Sequence, residues 1–390
     1  MIVRYIATMD EFVFAVPTRA FFGLDVLARI GSLVAGYGKR ALLITESVGM
    51  EGDYPQRVRD SLIRKGIDCI VYDELIPDTA PLVIDRVVSM ARASQSQVVI
   101  GLGGMRVSFV ARCVALLAAG RRSMADIVHG GPIPDTFLPY IEVPVSCRNH
   151  MMLSNTCVVT VEQTKAPMML RLPEGLVQAA LIDPKFFMSV SPAYTAAAIL
   201  DALLGSVEGF TSKHSNFLSD VHLLKAVNRL GKAAGILAQN PDDMKARVAS
   251  AEGGLALAVG LAMVGQGPGS ALAYAINARY DVPKSSVAAV LLPHVVDFFT
   301  TARAEKTARI ANALGEEEDA ITTTEAALSA SVAVRRIIAR LGVPARLRDL
   351  DLDIDSLYDC AEAAAELEMI SNVPIPVAAP ELYDILRRAY

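Results

Sequence analysis

The chain has 390 residues, of which 53% are hydrophobic and 20% charged, with a net charge of −5 and no tryptophan. That length suits two domains with a large core built from small aliphatic side chains. The acidic balance and the lack of a basic block argue against a nucleic-acid partner. The five cysteines are scattered, an odd number with no CxxC pair, which excludes a disulfide framework and fits a reduced, cytoplasmic chain. The N-terminus lacks the charged start and apolar run of a signal peptide, and no apolar stretch reads as a clear membrane span.

In chain order, residues 41–45 (ALLIT) form a short apolar run of the kind that makes a buried parallel strand. A helix is expected over 54–65, a strand over 69–72, a helix over 81–93 and a strand over 97–102. Gly103-Gly104 then turns into a helix through Leu117. This alternation defines a βαβ series, extended by short strands at 141–145 and 181–183. After Pro192 helices take over: 193–212, 220–239, 241–264, 286–301, 322–341 and a stretch from 356 to the end. The boundary falls near 190, which gives an α/β domain over 1–190 and an all-helical domain over 191–390. Residues 316–319 are a short acidic run expected in a solvated loop.

Several landmarks occur in a telling order: Phe22-Gly23, Thr45-Glu46, Pro77-Asp78-Thr79, Leu181-Ile182-Asp183-Pro184, the helix with Asp201 and Glu208, Leu292-Pro293-His294-Val295, and Ser371-Asn372-Val373-Pro374. Over nearly the whole chain their order resembles the iron-containing alcohol dehydrogenases, a dehydroquinate synthase-like fold. The resemblance implies a Rossmann-like N-terminal domain for a nicotinamide dinucleotide and a helical C-terminal domain. It also implies a cleft metal held by one Asp and three His.

The chain departs from that pattern where chemistry occurs. Asp201 matches the ligand Asp, but Gly205, Ser270 and Lys284 stand at the three His positions. A carboxylate, a hydroxyl and an ammonium do not make a site for a divalent transition metal. The family's GGGS phosphate turn reads Gly103-Gly104-Met105-Arg106, placing bulk where a backbone must approach a pyrophosphate. The family's run of small residues after the next strand reads Val145-Ser146-Cys147-Arg148-Asn149-His150-Met151-Met152.

From these departures no cofactor is expected, with at most weak NAD(P) binding. Lys284 and Asp201 should face one another across the former metal cavity, either as a structural ion pair or with Lys284 acting as electrophile or amine nucleophile. His150 and Tyr274 are the proton-moving candidates. Gly103, Gly104, Arg106, Arg112, Arg148 and Asn149 are expected at an anion or cofactor site. Three readings stay open: a metal-independent enzyme for a small carbonyl or anionic substrate, an NAD(P)-dependent oxidoreductase working without metal, and a non-catalytic scaffold or regulatory subunit. The expected partner is a small molecule in the interdomain cleft, with neither nucleic acid nor membrane. A homodimer is expected through the apolar segment 12–22.

Overall fold

A computed structural model describes residues 12–46, 52–75, 80–316 and 322–390. The landmark Pro77-Asp78-Thr79 and most of the acidic run at 316–319 lie outside the described residues.

The N-terminal body contains a six-stranded parallel sheet. Its strands are β1 (Arg19–Phe22), β2 (Arg40–Thr45), β3 (Asp68–Tyr72), β4 (Val98–Gly103), β5 (Tyr140–Pro144) and β8 (Val177–Ile182), in the order β1-β8-β5-β4-β2-β3. β4 and β5 are buried along their whole length, as strands covered on both faces must be. An antiparallel hairpin, β6 (Thr156–Val161) and β7 (Ala166–Arg171), is inserted before β8. Around the sheet lie α1 (Ile30–Val34), α2 (Tyr54–Ile63), α3 (Pro81–Ala93), α4 (Met105–Ala118) and α5 (Met124–Val128).

The helical body begins at α6 (Pro192–Thr211). It continues with α7 (Phe217–Leu237), α8 (Met244–Val264), α9 (Pro268–Tyr280), α10 (Lys284–Ala302), α11 (Ala304–Ala313), α12 (Thr323–Leu341), α13 (Leu357–Ala365) and α14 (Ala379–Ala389). α6 is its axis and packs on α7, α8, α9 and α10. α8 and α10 are long and apolar enough to cross a membrane by length and composition, but each is more than half buried inside the protein body, as core helices are.

The order of strands locates the cleft. From β2 the chain steps outward to β3, then returns to place β4 on the other side of β2. Ligands of open α/β sheets bind at such a reversal, at the carboxyl ends of the strands. Those ends carry Glu46 and the Gly103-Gly104 turn. The next strand, β5, leads into the 146–150 loop.

Three expectations are corrected here. β1, at the sheet edge, covers only Arg19–Phe22 of the segment 12–22 expected to form an edge strand, and the β6–β7 hairpin is additional. α9 and α11 are separate helices. The stretch from 356 onward is two helices, α13 and α14, interrupted by a 3₁₀ turn at Glu368–Asn372 and by Pro374 and Pro376.

Candidate active site

Asp201, Gly205 and Glu208 share one face of α6, at the i, i+4, i+7 spacing of a helix. Each acid meets the start of another element. Asp201 is fully buried, and one of its oxygens accepts from the Lys284 ammonium at the first turn of α10. Its other oxygen accepts from Arg148 Nε at 2.7 Å. Burial alone would raise the Asp201 pKa; Lys284 and then Arg148 outweigh it and bring it down to about 2. Lys284 is itself buried. Desolvation lowers its pKa, with Asp201 pulling the other way. It also sits at a helix N-terminus, the end that disfavours a cation, so Asp201 carries its compensation.

Glu208 addresses the start of α9. Its carboxylate accepts from Ser270 N at 3.0 Å and Ser270 Oγ at 2.6 Å, and Ser270 Oγ also accepts from Gln266 Nε2 at 2.8 Å. Burial raises the Glu208 pKa against those hydrogen bonds. This approach depends on glycine: a Cβ at Gly269 would lie 2.6 Å from Val295 and 3.2 Å from Glu208 Oε1.

Tyr274 follows Ser270 by one turn of α9. Its ring lies under Lys284, with Nζ 4.9 Å from the centroid, a cation–π contact. Its hydroxyl is buried and has no hydrogen-bond partner among the described residues. His150, from the loop after β5, is buried beside Gln266; Gln266 acts on the ring, but neither ring nitrogen nor Gln266 Oε1 makes a well-formed hydrogen bond among the described residues. Buried polar groups are ordinarily satisfied, so an orphaned Tyr274 hydroxyl and a loosely met His150–Gln266 pair beside one ion pair suit a ligand. A cavity of about 260 Å³ abuts His150 and Gln266, with Met151, His214, Met263 and Asn372 also in its lining; Lys284, Asp201, Arg148 and Tyr274 lie behind that wall and do not line it.

At the sheet reversal, Gly104 caps α4, and a Cβ there would lie 2.5 Å from the Tyr194 hydroxyl. The Gly104 N–H faces Glu46 Oε1 at 3.4 Å, and Arg106 donates to Glu46 Oε2 at 2.5 Å.

The structure thus brings Lys284, Asp201, Arg148, His150 and Tyr274 together, and it places Gly103, Gly104 and Arg106 at the neighbouring crevice. Several expectations are corrected. Arg112 and Asn149 are not at an anion site: both are buried and bound to Glu142, at 2.7 Å and 3.1 Å. Arg148 is committed to Asp201. His150 is a poor acid–base group, because burial and then Lys284 lower its pKa to about 3 and leave it neutral. Glu46, Glu208, Gln266 and Tyr194 were missed as site residues. The i+7 spacing of Glu208 from Asp201 was the one signal available for any of them.

A parallel sheet reversing beside a glycine turn, over a helical body with buried charges, defines a two-part fold of the dinucleotide-binding, oxidoreductase type. Two family descriptions match the chain: "Iron-containing alcohol dehydrogenase" over residues 17–184 and "Fe-containing alcohol dehydrogenase family, C-terminal" over residues 195–390. The chain belongs to the iron-containing alcohol dehydrogenase family. It is 25% identical over 383 residues to the 1,3-propanediol dehydrogenase of Citrobacter freundii, covering 97% of this chain and 99% of that one. Its fold is similar to the crystal structure of a 1,3-propanediol oxidoreductase, with TM-score 0.89, 24% identity, and 98% and 100% of the two chains covered. It is also similar to the sulfoacetaldehyde reductase of Bifidobacterium kashiwanohense solved in complex with NAD+, with TM-score 0.85, 18% identity, and 97% and 99% covered. The expectation that no cofactor is used is corrected by these findings, since the family is described by its iron and a protein of the same fold was solved with NAD+.

For iron the fit fails. Both Asp201 oxygens are taken by cations, Ser270 is bound to Glu208 and Gln266, and Gly205 has no side chain to offer a metal. Among the described residues no three His, Cys, Asp or Glu side chains cluster as a metal would need. For a dinucleotide the fit is partial: Gly104 opens a helix N-terminus with Arg106 beside it, but the Glu46 carboxylate engages both and the Tyr194 hydroxyl lies against Gly104, so a phosphate would have to displace Glu46.

Proposed function

We propose that this chain is a nicotinamide-dependent oxidoreductase that interconverts a small alcohol and its carbonyl compound, with the Lys284 ammonium where a relative would carry its metal. The observation that supports this reading is the buried Lys284–Asp201 pair beside the orphaned Tyr274 hydroxyl and the loosely met His150 ring. When bound, a nicotinamide dinucleotide supplies or accepts the hydride. Gly103, Gly104 and Arg106 would hold its phosphates, taking over the N–H and guanidinium that Glu46 now engages.

Lys284 and Arg148 flank Asp201, and Glu208, its own pKa raised by burial, also acts on Lys284. An ammonium and a guanidinium held in a dry, fixed setting stabilise the oxyanion that forms as a carbonyl is reduced. The Tyr274 hydroxyl donates to the same oxygen. Burial raises its pKa well above the usual value, which keeps it protonated. His150, neutral at pH 7, offers one ring N–H and one lone pair to a polar group of the substrate. The cavity at its side admits a small molecule.

The test measures aldehyde-dependent NADH and NADPH oxidation with and without EDTA, and metal content by mass spectrometry, on the wild type and Lys284→Met. The expected result is EDTA-insensitive turnover that Lys284→Met abolishes. About one iron or zinc per chain, with activity lost on chelation, would sink the role given to Lys284. The non-catalytic reading draws on one observation, Glu46 occupying the phosphate turn. It would be favoured if calorimetry shows no binding of either nucleotide.

A further inference from the structure

Arg112 projects from α4 into the protein and is fully buried. Its guanidinium pairs with Glu142 Oε2 at 2.7 Å. It also donates to three backbone carbonyls, two in the irregular segment after β5, Met151 at 2.8 Å and Ser154 at 3.1 Å, and one at the start of β6, Thr156 at 2.9 Å. The other Glu142 oxygen accepts from Asn149 Nδ2 at 3.1 Å, and Asn149 Nδ2 lies 3.3 Å from the carbonyl of Gly103. Glu142 lies on β5, in the interior of the sheet. One buried carboxylate therefore ties together the glycine turn, the helix that follows it and the loop that bears Arg148 and His150.

This knot is poorly explained by stability alone. Arg112 Nε and Asn149 Oδ1 have no partners among the described residues. A partly satisfied buried network is a worse stabiliser than an apolar core. Its geometry does serve another need. A buried loop without regular structure leaves carbonyls to be met, and a planar, multi-donor guanidinium can gather three carbonyls where an ammonium cannot. Gathering them fixes the backbone on the far side of His150 while Asn149 fixes the near side. Arg148 and His150 are then held toward Asp201 and Lys284 from α6 and α10.

We propose that Arg112 and Glu142, acting through Asn149, are positioning residues that set Arg148 and His150 against the Lys284–Asp201 pair and lock that loop to the glycine turn. The catalytic consequence rests on the oxidoreductase reading; the positional claim does not.

The test uses the full chain with isotope-labelled histidine, observed by NMR at pH 7. The His150 ring signal is identified by its loss in His150→Gln. Arg112→Lys keeps the charge but loses the fork, and Asn149→Ala cuts the link to Gly103 and Glu142. The control is Arg92→Lys, another arginine that gathers backbone carbonyls, those of Leu117 at 2.9 Å and Arg122 at 2.6 Å, at the far end of α4. The expected result is that the His150 signal shifts and broadens in Arg112→Lys and Asn149→Ala and is unmoved in Arg92→Lys. Small misplacements of reacting groups cost about 10²-fold in rate. On that basis kcat falls by about 10- to 100-fold in both loop variants, with a smaller change in KM for the nucleotide. If Arg112→Lys fails to fold, Asn149→Ala carries the same readout. An unmoved His150 signal in a folded loop variant overturns the proposal, whatever the stability change. If the wild type reduces no aldehyde, the oxidoreductase reading fails, and the NMR comparison still decides the positional claim.

Discussion

Asp201 is the shared counter-ion of two buried cations, so the two sides of this cluster should respond unequally to substitution. In Lys284→Met, Arg148 and Asp201 remain as a neutral pair at 2.7 Å. The ammonium is replaced by an apolar chain of similar reach. Breaking a buried pair costs about 3–5 kcal/mol when a charge is stranded. Here none is stranded, so the loss should be lower, on the order of 1–3 kcal/mol. In Asp201→Asn, Lys284 and Arg148 face each other without a counter-ion. Two like charges about 5 Å apart at an effective dielectric of about 20 repel by roughly 3 kcal/mol. Two attractions are lost as well. The total should reach about 4–6 kcal/mol unless Lys284 sheds its proton. Asp201→Asn should therefore unfold at lower guanidinium concentration than Lys284→Met, with a gap of at least about 1 kcal/mol by far-ultraviolet circular dichroism at pH 7. The Asp201 pKa is depressed, from its ordinary value to about 2, so its contribution is present above about 3.9 and fades as the pH falls toward 2. The gap should hold from pH 5 to 8 and shrink below pH 4. Equal losses in the two variants, or a neutral Asp201→Asn, would refute the shared counter-ion.

Tyr274→Phe removes a buried hydroxyl with no partner among the described residues, so stability should be unchanged or rise by up to about 1 kcal/mol while turnover falls by about 10²-fold; both follow from one unfolding curve and one steady-state assay. His150 is neutral when folded, with a pKa of about 3 against about 6.5 in the unfolded chain, so stability is lost as the pH drops from 6.5 toward 3. His150→Gln should flatten that slope in denaturation midpoints measured across the window; an unchanged slope would place the acid sensitivity elsewhere. β1 is a sheet edge, and Phe12, Val13, Phe14 and Phe22 beside it are exposed, which supports association of two copies through this edge. A dimer by light scattering in the wild type, and a monomer in Val13→Asp/Phe22→Lys, is the expected pair of results.

The sequence by itself determined the order of elements, because period and punctuation are local. The ALLIT and QVVIGL runs, the proline starting the helix at Pro81 and the Gly103-Gly104 turn each act within a few residues. The β6 run TCVVTV carried the same kind of signal and was open to the same reading. The Lys284–Asp201 contact, between residues 83 apart, could be expected only because a family resemblance supplied the geometry. What the tertiary structure alone decided is the partner of each remaining charge. Arg112 and Arg148 look alike in a sequence, yet one is sealed in a helix–sheet layer by Glu142 and the other closes on Asp201. His150 reads as a titrating group until burial beside Lys284 makes it neutral. Burial and charge pairing depend on which distant segments meet, and no local pattern encodes that.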